Sequence, residues 1–149
     1  MAFRFSFEVL LRVRQSLERQ QELRLQTANL RVAALRQHIE DVRNGMEKIA
    51  VRRRDQMASG ASAAELQFDL LCRTVLTEQQ HVVGKQLAEA EVFQHSCRDA
   101  FQLARRQREV VDTLRHHQLQ LYRQQESRQE QRRLDDLFLL RRTYLQQRS

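Results

Sequence analysis

No proline occurs anywhere in these 149 residues, and only three glycines do. Proline ends a helix and glycine weakens one, so a chain this long with almost neither has little punctuation for anything but very long helices. Ala, Leu, Glu, Gln and Arg fill the rest, a composition that belongs to coiled coils. A globular domain of this length would carry turn residues and one continuous apolar core. The prediction is an all-α rod, a single coiled-coil domain over residues 1–149.

Apolar periodicity supports it. Leu25, Ala28, Val32, Leu35, Ile39, Val42, Met46 and Ile49 alternate steps of three and four, the seam of a helix packed lengthwise on another. Upstream, Phe7, Leu10, Val13 and Leu17 form a stripe in a different phase, joined through Gln21 by two steps of four. Such a jump reads as a stutter that relaxes the supercoil. Helix one is expected over about residues 6–57.

The break falls in "MASGASAAE", residues 57–65. Gly60 can adopt the left-handed conformation that closes a helix, and Ser62 with Glu65 forms a capping box that opens the next. A turn of about residues 58–62 between two long helices makes an antiparallel hairpin, with helix two over about 63–146. Its main seam runs through Leu66, Leu76, Val83, Leu87, Ala90, Cys97, Phe101, Ala104 and Val111. Ala100, Leu103, Val110, Leu114 and Leu121 form a second seam, either a widened core or a surface for another protein. Nearer the turn, Phe68, Leu71, Val75 and Val82 make a short third stripe.

With the turn near Gly60, residues facing each other have numbers that sum to about 120, which places Phe3 near His117. The last 30 residues or so, about 45 Å of helix, then overhang their partner. They include "QRRLDDLFLLRRTYLQQ", residues 131–147, with Leu134, Leu137, Phe138, Leu139, Leu140, Tyr144 and Leu145. Chain ends are usually polar, so this one is expected to pack on another protein.

Little here suits catalysis. The five histidines, His38, His81, His95, His116 and His117, include no pair at i, i+3 or i+4, so no two imidazoles share a helix face for a metal. Asp135 and Asp136 have no second acidic pair beside them, and Gly45, Gly60 and Gly84 make no phosphate loop. Cys72 and Cys97 stand about 38 Å apart along one helix and cannot bridge within the chain. They read as small apolar residues of a reducing compartment. No enzyme, cofactor or metal is expected. Neither a signal peptide nor an apolar run of membrane-spanning length is visible, which predicts a cytoplasmic protein that reaches a membrane only through partners.

The net charge is +7, and 24 of the 26 basic residues are arginines. Residues 1–57 and 105–149 each carry +5 and the middle −3. A basic leucine zipper keeps its basic region apart from its heptads. Here Arg132, Arg133, Arg141 and Arg142 are interleaved with leucines and aromatics, which favours protein contact, and no nucleic-acid partner is expected.

The opening "MAFRFSFEVLLRVRQSLERQQELRLQTA", with Phe3, Phe5, Phe7, Leu10 and Leu11, resembles that of FliJ proteins, coiled-coil components of the bacterial flagellar type III export apparatus. The ending "REVVDTLRHHQLQLYRQQESRQEQRRLDDLFLLRR", with Leu134, Asp135 and Asp136, is similar to the family's C-terminal helix. The resemblance implies a non-enzymatic stalk standing in the pore of the hexameric export ATPase FliI, with further contacts to the export gate protein FlhA and to export chaperones. It places the chain at the cytoplasmic face of the inner membrane at the flagellar base. The ring-binding end would comprise Phe3, Phe5, Phe7, Leu10 and Leu11 with Arg132, Arg133, Leu134, Leu137, Phe138, Arg141 and Tyr144. The gate-binding patch would be Phe68, Leu71, Val75 and Val82. Alternative readings are the equivalent stalk of a virulence injectisome, a nucleic-acid-binding basic coiled coil, or a homodimeric scaffold.

Overall fold

The computed structural model describes residues 3–148. It is an antiparallel pair of helices, α1 over Glu8–Ser59 and α2 over Ala63–Gln147, 94% helical and without a strand among the described residues. Packing between the helices gathers into two units, one formed by the chain up to Glu18 with everything from Ala104, the other by Arg19–Leu103.

The Arg19–Leu103 unit contains the turn. Gly60 closes α1 with φ +83°, and the Ala61 N–H donates back to the Gln56 carbonyl at 2.9 Å. That is the bond of a glycine-terminated helix end. Ser62 then caps α2: its N–H donates to Glu65 Oε2 at 2.9 Å, and the Glu65 N–H donates to Ser62 Oγ at 3.4 Å. A Cβ at residue 60 would touch nothing within 4 Å, so only its positive φ opposes substitution. Gly60→Ala is therefore expected to destabilise this end by about 1–2 kcal/mol, measured as a lower denaturation midpoint with helicity unchanged.

Away from the turn, the seam of this unit follows the heptads. Ala28, Val32 and Val42 are buried on α1, with Leu25, Leu35, Ile39, Met46 and Ile49 half-buried between them. Val83, Ala90 and Cys97 are buried on α2, with Leu66, Leu76, Leu87 and Phe101 half-buried. Where the α2 seam lacks an apolar residue, a polar one crosses instead. Gln94 donates to Asn29 Oδ1 at 2.6 Å, and Asp69, only 2% exposed, accepts from the Arg52 guanidinium. Such pairs stabilise little but penalise any other register, because a slipped helix would bury them unpaired.

In the other unit the stem of the hairpin is built on Phe5, Leu11 and Val111, which are buried together with Phe3 packed against them. The Phe3 ring also lies 5.6 Å from that of Tyr122, somewhat further along α2 than the predicted His117. The α1 seam here differs from the stripe read off the sequence. Phe7, Leu10, Val13 and Leu17 are exposed. The positions turned to α2 come one residue later, at Glu8, Leu11, Arg14 and Glu18, and Gln21 follows in the same phase at the start of the other unit. From Leu11 these step by three and four into Leu25, so the predicted stutter is absent. Polar partners across the seam make this phase tolerable. Arg108 donates to both Glu18 carboxylate oxygens, at 2.6 and 3.3 Å, and Arg14 donates to Gln107 Oε1 at 2.6 Å. The Glu18 hydrogen bond raises the Arg108 guanidinium above its already high range, so the arginine stays charged.

Candidate protein-binding surfaces

Among the described residues α2 is last packed at Tyr122, against Phe3, and every residue from Arg123 to Arg148 is exposed. The predicted residues Arg132, Arg133, Leu134, Leu137, Phe138, Arg141 and Tyr144 all lie there, with Leu139, Leu140 and Leu145 among them. Phe138 remains 66% exposed. At 100° per residue the apolar side chains of 134–145 cover an arc of about 160°, and Leu139 stands on the opposite side. One partner helix needs a stripe of only about 100°. A helix end that is apolar around this much of its circumference fits a partner that surrounds it. Arg141 falls inside the arc, and the Arg148 guanidinium sits 5.9 Å from the centre of the Tyr144 ring.

The opening of the chain divides between two roles. Phe5 and Leu11, expected on the ring-binding surface, are buried in the stem, Leu11 at 1% exposure, and are occupied by the contact between the helices. Phe3 is half-buried on Tyr122. Phe7 and Leu10 remain exposed, with the Phe7 ring edge-on to Phe5 at 5.9 Å. Phe3 and Tyr122 thus bring the start of the chain to the base of the exposed helix end.

Phe68, Leu71, Val75 and Val82 are all exposed on one α2 face in the Arg19–Leu103 unit, with one turn, at Glu78 and Gln79, between Val75 and Val82. Phe68 borders a cleft near the turn, lined also by Arg52, Gln56, Ala64, Glu65 and Asp69. Asp69 Oδ2 and Gln56 Oε1, both buried atoms, have no hydrogen-bond partner there. Buried acceptors without partners are uncommon, and this pair lies beside the apolar patch.

A third surface was left open by the sequence, which gave Val110, Leu114 and Leu121 two alternative roles. All three are exposed, as are Leu10, Val13 and Leu17 of α1. The sequence signal for this face is that five of the six immediately precede a buried or half-buried seam residue, and Leu114 precedes Arg115, which pairs with Glu8 of α1.

Among the described residues no cluster of three His, Cys, Asp or Glu could hold a metal ion, and no helix is long and apolar enough to cross a membrane. Cys72 and Cys97 are free thiols, the first half-buried and the second buried. No curated protein and no solved structure matches the chain. One family does match, and over nearly the whole length. The family described as the flagellar FliJ protein spans residues 3–149, the stem, turn and exposed helix end together, so the chain belongs to the FliJ family and is a component of flagellar type III export.

Proposed function

We propose that this chain is a stalk that binds and stimulates the hexameric flagellar export ATPase through the exposed end of α2, and that its turn-proximal patch meets the export gate. The observation that carries this reading is the run from Leu134 to Leu145, exposed, apolar around much of the helix and, among the described residues, beyond the packing of Tyr122 on Phe3. An element that binds the assembled ring better than the separate subunits favours ring closure by mass action. Arginines around the end suit a pore lined by carboxylates. The exposed N-terminal residue Phe7 stands in the same unit as that end and extends the ring-facing surface. Mixing the full chain with purified export ATPase tests the reading: co-elution with the hexamer and a raised ATPase rate are expected. Absence of both would overturn it.

The gate contact is assigned to Phe68, Leu71, Val75 and Val82, an apolar stripe long enough to anchor a partner surface. Phe68→Glu with Leu71→Glu is expected to weaken binding to the cytoplasmic domain of the gate protein at least about tenfold, since two exposed anchors each contribute on the order of 1 kcal/mol or more. ATPase stimulation by the same variant should be unchanged. Export chaperones are further partners that the FliJ reading brings, and pull-down with the two variant classes would assign them to one end.

A further inference from the structure

We infer that one side of the stem is a groove for an acidic amphipathic helix of another protein, which completes a three-helix bundle there. The evidence is the unequal treatment of the two sides of the seam. In an antiparallel pair, residues that precede the seam on one helix lie on the same side as those that precede it on the other. On that side stand Leu10, Val13 and Leu17 of α1 and Val110, Leu114 and Leu121 of α2, all exposed; five directly precede a buried or half-buried seam residue, and Leu114 precedes Arg115, which pairs with Glu8 of α1. Leucines from both helices therefore flank one groove at a spacing that takes an i, i+3, i+4, i+7 pattern.

The opposite side is finished for water. Glu8 pairs with Arg12 and Arg115 at 3.7 Å, Arg105 with Glu109 at 3.0 Å, and Arg108 with Asp112 at 3.5 Å. In the paired part of the stem the carboxylates are Glu8, Glu18, Glu109 and Asp112, and all of them lie in the seam or on this side. The groove side has none. Contiguous apolar surface of this kind on a soluble protein usually marks a binding site.

Charge selects the occupant. The paired part of the stem, residues 3–18 and 104–122, holds seven arginines and four carboxylates, a net +3. A second copy would bring a like charge to the groove, whereas a helix with Glu and Asp beside its apolar stripe brings the opposite one. This inference goes beyond ring binding, because it concerns the side of the paired stem and not the helix end past Tyr122.

The test uses the full chain and a labelled 28-residue helical peptide with leucine heptads flanked by glutamates, beside a twin in which lysine replaces every glutamate. Fluorescence anisotropy should show binding of the glutamate peptide that weakens with salt, and no binding of the lysine twin. Leu17→Glu with Leu114→Glu should reduce affinity at least tenfold with helicity by circular dichroism retained. Val13→Gln with Val110→Gln, a milder change at exposed positions, should reduce it several-fold. Leu137→Glu with Phe138→Glu should leave it unchanged while ATPase stimulation falls, which separates this groove from the helix end. Equal binding of the lysine twin, or undiminished binding by both groove variants, overturns the inference. So does a dimer of the chain alone that the groove substitutions dissociate, since the occupant would then be a second copy.

Discussion

A chain ending at Glu130 leaves the export ATPase at its unstimulated rate, yet melts at the temperature of the full-length protein. The two halves of this expected result have separate physical grounds. Residues 131–148 are exposed throughout, so their removal takes no side chain out of the helix pair and leaves no cavity behind. Phe3 on Tyr122, Phe5 and Leu11 on Val111, and Arg108 on Glu18 all lie on the retained side of the cut. What is lost is Leu134, Leu137, Phe138, Tyr144 and the arginines among them. If only two of these act as hot spots, each worth about 2 kcal/mol, affinity for the ring falls several-hundredfold. The measurement is steady-state ATPase rate against stalk concentration, with circular dichroism melting of the same preparations. Stimulation that survives truncation would remove the helix end from the mechanism. A lowered melting temperature would mean that the end packs on its own stem.

Much of the fold could be read from residue spacing because this sequence obeys one rule over most of its length. From Leu25 to Ile49 each seam position is apolar, and periodicity then identifies the buried face without ambiguity. Gly60, Ser62 and Glu65 likewise act through local backbone chemistry, which does not depend on what the rest of the chain does. The stem departs from the rule. Its seam runs through Glu8, Arg14 and Glu18, and its best apolar stripe lies one residue to the side. A reading guided by hydrophobicity follows Phe7, Leu10, Val13 and Leu17, although a partner absent from the chain is a better explanation for that stripe. The correct phase was available in one place. On α2 the seam steps from Ala104 to Val111 through Arg108, and an arginine at a seam position requires a carboxylate opposite, which Glu18 supplies. The surfaces were legible in proportion to how simply they are made. Length arithmetic alone exposes the helix end, whereas separating Leu10 from Leu11 needs the seam phase that only the packed structure provides.

That separation is also the sharpest stability test of the stem. Leu10 and Leu11 are neighbours with the same side chain, at 39% and 1% exposure. Leu11→Ala removes a fully packed side chain from the cluster with Phe5 and Val111 and is expected to cost about 2–5 kcal/mol. Leu10→Ala, on the groove side, is expected to cost about 1 kcal/mol or less. The loss at Leu11 should also be local. Few other buried side chains hold the stem, so amide exchange should accelerate around residues 8–18 and 104–122 while the seam from Ala28 to Val42 keeps its protection. Function divides the other way. Leu10→Ala should weaken the glutamate peptide with the fold intact, and Leu11→Ala should do so only as the stem itself loosens, so that lowering the temperature restores binding to the second variant and not to the first. Equal stability costs for the two would place the seam on the Phe7, Leu10, Val13 and Leu17 stripe. The groove would then be core, and the ion-paired side would be the only face the stem offers to solvent or partner.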